Sequence, residues 1–306
     1  MRAGPTGLVV ALALMAATAC DVPAERLPVT QCKAALGEAS PYFDAEPGAG
    51  LRFLSFPVQQ QRATEGPILT DVVSHLGPEY GDTYRDEDPI TWAHETSHGI
   101  HAHLRNNFND TGRAANAFYL LDDRAAIVPE PGIRKSQVAA FVPGVLRGSR
   151  FGTYVTGQAA WDDTPLYLWD EWNAYVNGAA AGVDLVAAGQ WDRGWRDGVA
   201  GVLEFTVYGL AVAMAVEAED PDYFARETQF REMLAYEVRR GMAIYHRGAV
   251  LEAFAWDDQD AYLEALRAHP DAEPVRAFAR RVFGTDWADL YLLGEGAAPP
   301  LVEGPA

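Results

Sequence analysis

His94-Glu95-Thr96-Ser97-His98 sets two histidines four residues apart, and no other feature of the chain restricts its fold as strongly. At 3.6 residues per turn, that spacing puts both imidazoles on one helix face, about one turn apart. Two neutral imidazoles so placed can share one Zn²⁺, and the adjacent glutamate can take a proton from an activated water. A catalytic site of this kind takes three protein ligands and leaves one position open. A second element must therefore face the helix and bring the third ligand.

The residues before the motif read as a helix start. Asp88 can cap free backbone N–H groups, and Pro89 suits the first helical position, where its missing N–H would be unpaired anyway. Asp86 and Glu87 add negative charge at the positive end of the helix dipole. From Ile90 to Leu104 there is no proline and Gly99 is the only glycine, which predicts about four helical turns. Thr91, Trp92, Ala93, Thr96, Ser97, Gly99 and Ile100 are all uncharged. With these neighbours the segment resembles the active-site helix of the zincin metallopeptidases, which carries HExxH. A metzincin would continue HxxGxxH, but His101 stands at that glycine and Leu104 at the third histidine, so that branch is excluded. His101 shares the face of His94 but lies about 10 Å along the axis, too far to join the same ion. His101 and His103 are expected as solvated or supporting histidines.

For the third ligand the best candidate is Glu171, within Leu168-Trp169-Asp170-Glu171-Trp172-Asn173-Ala174-Tyr175-Val176-Asn177-Gly178. Thr164 and Pro165 repeat the cap-then-proline start, and Glu171, Tyr175 and Gly178 share a helix face. Ala174, Gly178 and Ala179-Ala180-Ala181 are small enough for close approach of another helix. The pattern resembles the second zinc helix of the gluzincins, NExxSDxxG. Asp170 stands at the Asn, Glu171 at the ligand Glu, Ala174 at the Ser and Gly178 at the Gly. Tyr175 occupies the position of the aspartate that orients a zinc histidine in that family, so the orienting partner must come from elsewhere. The resemblance implies a zincin-like metallopeptidase with His94, His98 and Glu171 on zinc and Glu95 as the general base. Glu204, in an otherwise apolar helix, is the rival ligand or a buried supporting acid. A donor to the developing oxyanion is also required; Tyr167, Tyr175, Tyr208 and His246 are candidates, with Tyr175 ranked first because it shares a face with Glu171.

Net charge is −19, which disfavours nucleic acid and anionic lipid as partners and leans toward cationic substrates. The first twenty residues read as an export signal: Arg2, an apolar run from Gly7 to Ala16, then Ala17-Thr18-Ala19-Cys20. The run is too short to span a bilayer. Its end resembles a bacterial lipobox, which implies a lipid on Cys20 and a membrane-anchored exported protein; cleavage after Ala19 without lipidation is the alternative. Cys32 is the only other cysteine, so no cysteine-based zinc site is available.

The expected organisation is a signal segment (1–20), a flexible tether (21–50), one metallohydrolase domain (51–293) and a loose tail (294–306). Leu51 to Phe56 reads as a strand, Pro67 to Leu76 as a short helix, and 117–121 with 124–128 as a hairpin, either purely structural or available to pair with an extended substrate. Helices are expected at 165–188, 195–218, 221–246, 258–268 and 273–282. Tryptophans 161, 169, 172, 191 and 195 suit either a pocket or core packing, the latter being the plainer reading. The fold class is α+β, predominantly helical, with few strands and a large helical C-terminal part. The function expected is peptide-bond hydrolysis, with a binding lipoprotein bearing a relic site, or a zinc amidase acting on cell-wall material, as the alternatives.

Overall fold

A computed structural model describes residues 40–294, which belong to the larger of two units, Gly37–Ala306. The export signal, both cysteines, the tether through residue 39 and the tail beyond 294 lie outside the described residues. Among the described residues the fold is mostly helical with one small sheet. Strand β1 (Leu54–Ser55) and helix α1 (Pro67–His75) precede the long helix α2 (Pro89–Asn107). A hairpin of β2 (Ala115–Tyr119) and β3 (Arg124–Pro129) follows, and the sheet order is β1-β3-β2, antiparallel throughout. After irregular turns come α3 (Tyr167–Ala187), α4 (Ala200–Glu219), α5 (Pro221–Arg226), α6 (Thr228–Ala249), α7 (Asp257–Ala268), α8 (Glu273–Phe283) and α9 (Thr285–Ala288).

Helix α2 begins as the sequence predicts. The Asp88 carboxylate accepts from the N–H groups of Ile90 at 2.8 Å and Thr91 at 3.0 Å, with Pro89 in the first turn. Helix α3 starts differently. Leu166 precedes its first turn with no side-chain cap, and the Thr164 hydroxyl instead donates to the Trp161 carbonyl. Glu130 does the capping work from a distance, accepting from the Leu166 N–H at 3.0 Å.

Two cores hold these elements. The larger surrounds α4, which is buried from Ala200 to Val216 except at Met214, the apolar-all-round pattern expected of a central helix. The smaller joins α1, α2 and the sheet through Phe56, Leu69, Val72, Ala93, Ile100, Leu104 and Tyr119. Helices α2 and α3 cross at close range. A Cβ on Gly178 would stand 2.7 Å from the Ile90 carbonyl oxygen and 3.4 Å from His94 Cβ, so only glycine allows this approach.

Several expectations are corrected. The strand expected over Leu51–Phe56 shortens to two residues. The end of the expected tether is folded: Phe43 is buried, and Gly48 and Gly50 donate their N–H groups to Glu232 in α6. The helix expected over 221–246 breaks at Glu227, where Arg231 donates to the freed Phe224 carbonyl. The hairpin is present, but Ala117, Phe118 and Tyr119 are fully buried and the Tyr119 carbonyl already accepts from Asn177. That edge is closed to an extended peptide.

Candidate metal centre

Helices α2 and α3 bring His94, His98 and Glu171 together, as the spacing predicts. Their ligand atoms all lie within 4.8 Å of one another. His94 Nε2 and His98 Nε2 are 3.1 Å apart, and Glu171 Oε2 lies 3.6 Å from the first and 3.4 Å from the second. That oxygen is buried and has no hydrogen-bond partner. A buried carboxylate oxygen left unpaired is costly unless something cationic meets it. Three converging donors with one orphaned anion form a site that can hold a metal ion.

Sequence reasoning missed the residue that orients this site. Asp170 is buried, and its Oδ1 is paired with His98 Nδ1 at 2.5 Å and His101 Nδ1 at 3.0 Å. Its Oδ2 accepts from Arg105 Nη1 at 2.9 Å. The contact on His98 Nδ1 turns Nε2 toward His94 and Glu171, the arrangement by which carboxylates aim metal-binding imidazoles. His101, expected as either solvated or supporting, is fully buried and belongs to this layer. The available signal was a second acid beside Glu171 in a helix otherwise uncharged from 166 to 183.

The charges of this cluster interlock. Burial opposes the charge on Asp170, but His101 and His98 outweigh it and hold the carboxyl far below the usual range. Burial likewise opposes a proton on His98, yet Asp170 and Glu171 push its pKa up to about 10. His94 moves the other way, held neutral by burial and by the neighbouring His98.

Tyr175 stands against the centre with its ring edge-to-face on His94, centroids 4.7 Å apart. Its hydroxyl lies 3.3 Å from that of Tyr154, a residue the sequence reading did not single out. Arg150 lies over the Tyr175 ring at 5.2 Å. Tyr167 adjoins Glu171, and burial with that carboxylate's charge pushes its hydroxyl pKa up. The other oxyanion candidates are elsewhere: Tyr208 donates to Glu204, and His246 sits at the end of α6 beside Tyr245. Glu95 follows His94 on α2 and is exposed, with Tyr84 near enough to feel its charge.

Glu204 lies outside the converging donors. Its carboxylate accepts from Arg150 Nη1 at 2.8 Å, the Arg150 N–H at 3.0 Å, Ser149 at 3.1 Å and Tyr208 at 2.9 Å. Glu204→Gln is therefore expected to lower stability by about 2 kcal/mol, through weakened charge-assisted hydrogen bonds, without changing metal content. Paired urea melts and metal analyses check this, and metal loss without destabilisation would return Glu204 to the ligand set.

The tryptophans divide. Trp169 and Trp172 are core residues, whereas Trp161 lines a cleft of about 260 Å³ that also contains His98 and Glu171. No known family model, curated protein or solved structure matches this chain.

Proposed function

We propose that this chain is a zinc-dependent hydrolase, a peptidase of gluzincin type with a zincin-like catalytic domain. The observation that carries the reading is the spacing of the three donors around the orphaned Glu171 oxygen. Tetrahedral zinc with bonds of about 2.0–2.1 Å spaces its ligand atoms by about 3.3–3.4 Å. The separations here are 3.1, 3.4 and 3.6 Å. Two imidazoles and one carboxylate are also a donor set that suits this ion.

Zinc held by His94, His98 and Glu171 would supply a Lewis acid and acidify a water. The protein's own groups divide the remaining work. Glu95 takes a proton from the attacking water and returns it to the leaving amine. Tyr175, beside His94, donates its hydroxyl to the carbonyl oxygen as charge develops, with Tyr154 and Arg150 fixing the ring. Asp170 keeps His98 turned toward the site. We read the N-terminal segment as an export signal that leaves Cys20 lipidated and the domain anchored at the cell envelope.

Purified residues 21–306 are expected to hold one zinc per chain, and Glu171→Ala to lose or loosen it, as read by metal analysis after gel filtration. Zinc retained at full affinity in that variant would remove Glu171 from the site, and no zinc in either protein would end the reading. Uptake should also release a proton from His98, whose pKa stands at about 10 in the metal-free protein. Apparent affinity is then expected to rise about tenfold per pH unit between about pH 7 and 9.

A further inference from the structure

The cleft beside the three donors contains more than the metal centre needs. His98 and Glu171 form one side, and Arg105, Glu130, Trp161 and Tyr167 contribute to the rest. Arg105 is committed to Asp170 at 2.9 Å and to Asn116 at 3.3 Å. Glu171 faces the histidines. Glu130, one residue past β3, accepts a single bond from the Leu166 N–H and pairs with no cation among the described residues. Burial pushes its carboxyl up to about 8, with Asp170 raising and Arg105 lowering it, so near pH 7 it holds its proton until a cation draws that proton off. A half-enclosed acid of this kind favours a ligand that brings positive charge.

The aromatic part of the wall points the same way. The Trp161 indole lies parallel to the Tyr167 ring, centroids 5.3 Å apart at 1°, and is 40% exposed. An indole backed by a second ring and open on its other side can take an alkyl stem or a cation on its face. An aromatic stack alone would equally suit a sugar ring or an apolar side chain. Glu130 in the same cleft separates these, because a cation would draw off its proton and pair with the carboxylate, and neither of those groups would.

We propose that this cleft is a specificity subsite for a basic side chain, lysine or arginine, on a residue flanking the scissile bond. Glu130 pairs with the charged end, and the open face of Trp161 takes the stem. The net charge of −19 draws basic peptides toward the protein before they reach the cleft. This assignment rests on the peptidase reading for its substrate, but its test does not require turnover.

Zinc-loaded Glu95→Gln protein, in which peptides should survive, is titrated calorimetrically with blocked alanine tetrapeptides. Each carries either lysine or its uncharged isostere norleucine at one of the four positions. At one position the lysine peptide is expected to bind at least about tenfold tighter, the scale of one desolvated charge contact. Glu130→Gln should bring that ratio close to one while leaving the norleucine affinity in place. Trp161→Ala, a change at a partly exposed residue, should weaken the lysine peptide severalfold without affecting the fold. Equal affinity for lysine and norleucine at every position would overturn the proposal, and that comparison needs no variant of Glu130. A lysine preference that survives Glu130→Gln in a folded protein would overturn it as well. Failure of the native protein to cleave any peptide would count against the peptidase reading alone, since the binding preference stands or falls separately.

Discussion

Glu95→Gln is expected to keep a full complement of zinc while kcat/KM for peptide hydrolysis falls about 10³-fold. Glu95 is absent from the converging donors, which are His94, His98 and Glu171. It follows His94 on α2 and is exposed to solvent. Glutamine keeps the length and polarity of the side chain and removes only its basicity. Metal analysis and an activity assay on the same preparation decide the matter. Unchanged turnover would sink the mechanism, and loss of zinc would make Glu95 part of the metal shell.

Asp170→Asn is expected to have the larger effect on the protein as a whole. Three cationic or proton-bearing groups converge on this carboxylate from α2: His98, His101 and Arg105. Removing its charge takes the shared anion from all three, leaving His98 with Glu171 alone, and costs about 3–5 kcal/mol. Zinc affinity should fall about 10–100-fold as His98 loses the contact that fixes its ring. The pH window follows from two shifts in the metal-free protein. Asp170 is held far below its ordinary 3.8, so its stabilisation is present above that value and is lost only in stronger acid. His98 is raised from 6.5 to about 10, so its contribution is complete below 6.5 and is lost as pH rises through about 10. The stability gap between native and variant protein should therefore be widest between 3.8 and 6.5. Urea melts of the metal-free proteins at pH 5 and pH 9 test this; a gap that widens with pH would contradict it.

Much of the site was legible in the sequence because helical spacing is local. His94 and His98 share a face by arithmetic, Asp88 and Pro89 mark the start of their helix, and Gly178 marks where a partner comes close. Glu171 could be reached because a helix carrying a ligand needs the same kind of face. Asp170 could not. The gluzincin pattern places the orienting acid one turn after the ligand, where Tyr175 stands, whereas the actual partner is the residue just before Glu171. Arg105 and Glu130 were illegible for a different reason, and Trp161 was offered only among five tryptophans that suited either a pocket or the core. All three come from α2, the end of β3 and an irregular turn, and only tertiary packing brings them to one cleft. The choice between a structural hairpin and one open to substrate was likewise closed to the sequence, because a short apolar run specifies a strand but not what covers it.

The seam between α2 and α3 is fastened away from the metal donors. Asn177 of α3 donates to Ser97 of α2 at 2.9 Å and to the Tyr119 carbonyl at 3.1 Å, and Arg240 of α6 donates to its amide oxygen. Glu237 completes this buried knot through Asn173 and Arg240. The two helices are thus held at working distance by contacts that zinc does not make. Small zinc domains collapse when chelated because the ion is their core. A metal ion in this site would be a removable part in a rigid socket, so on the proposed reading a chelator should silence the protein without unfolding it, and added metal should restore it at once.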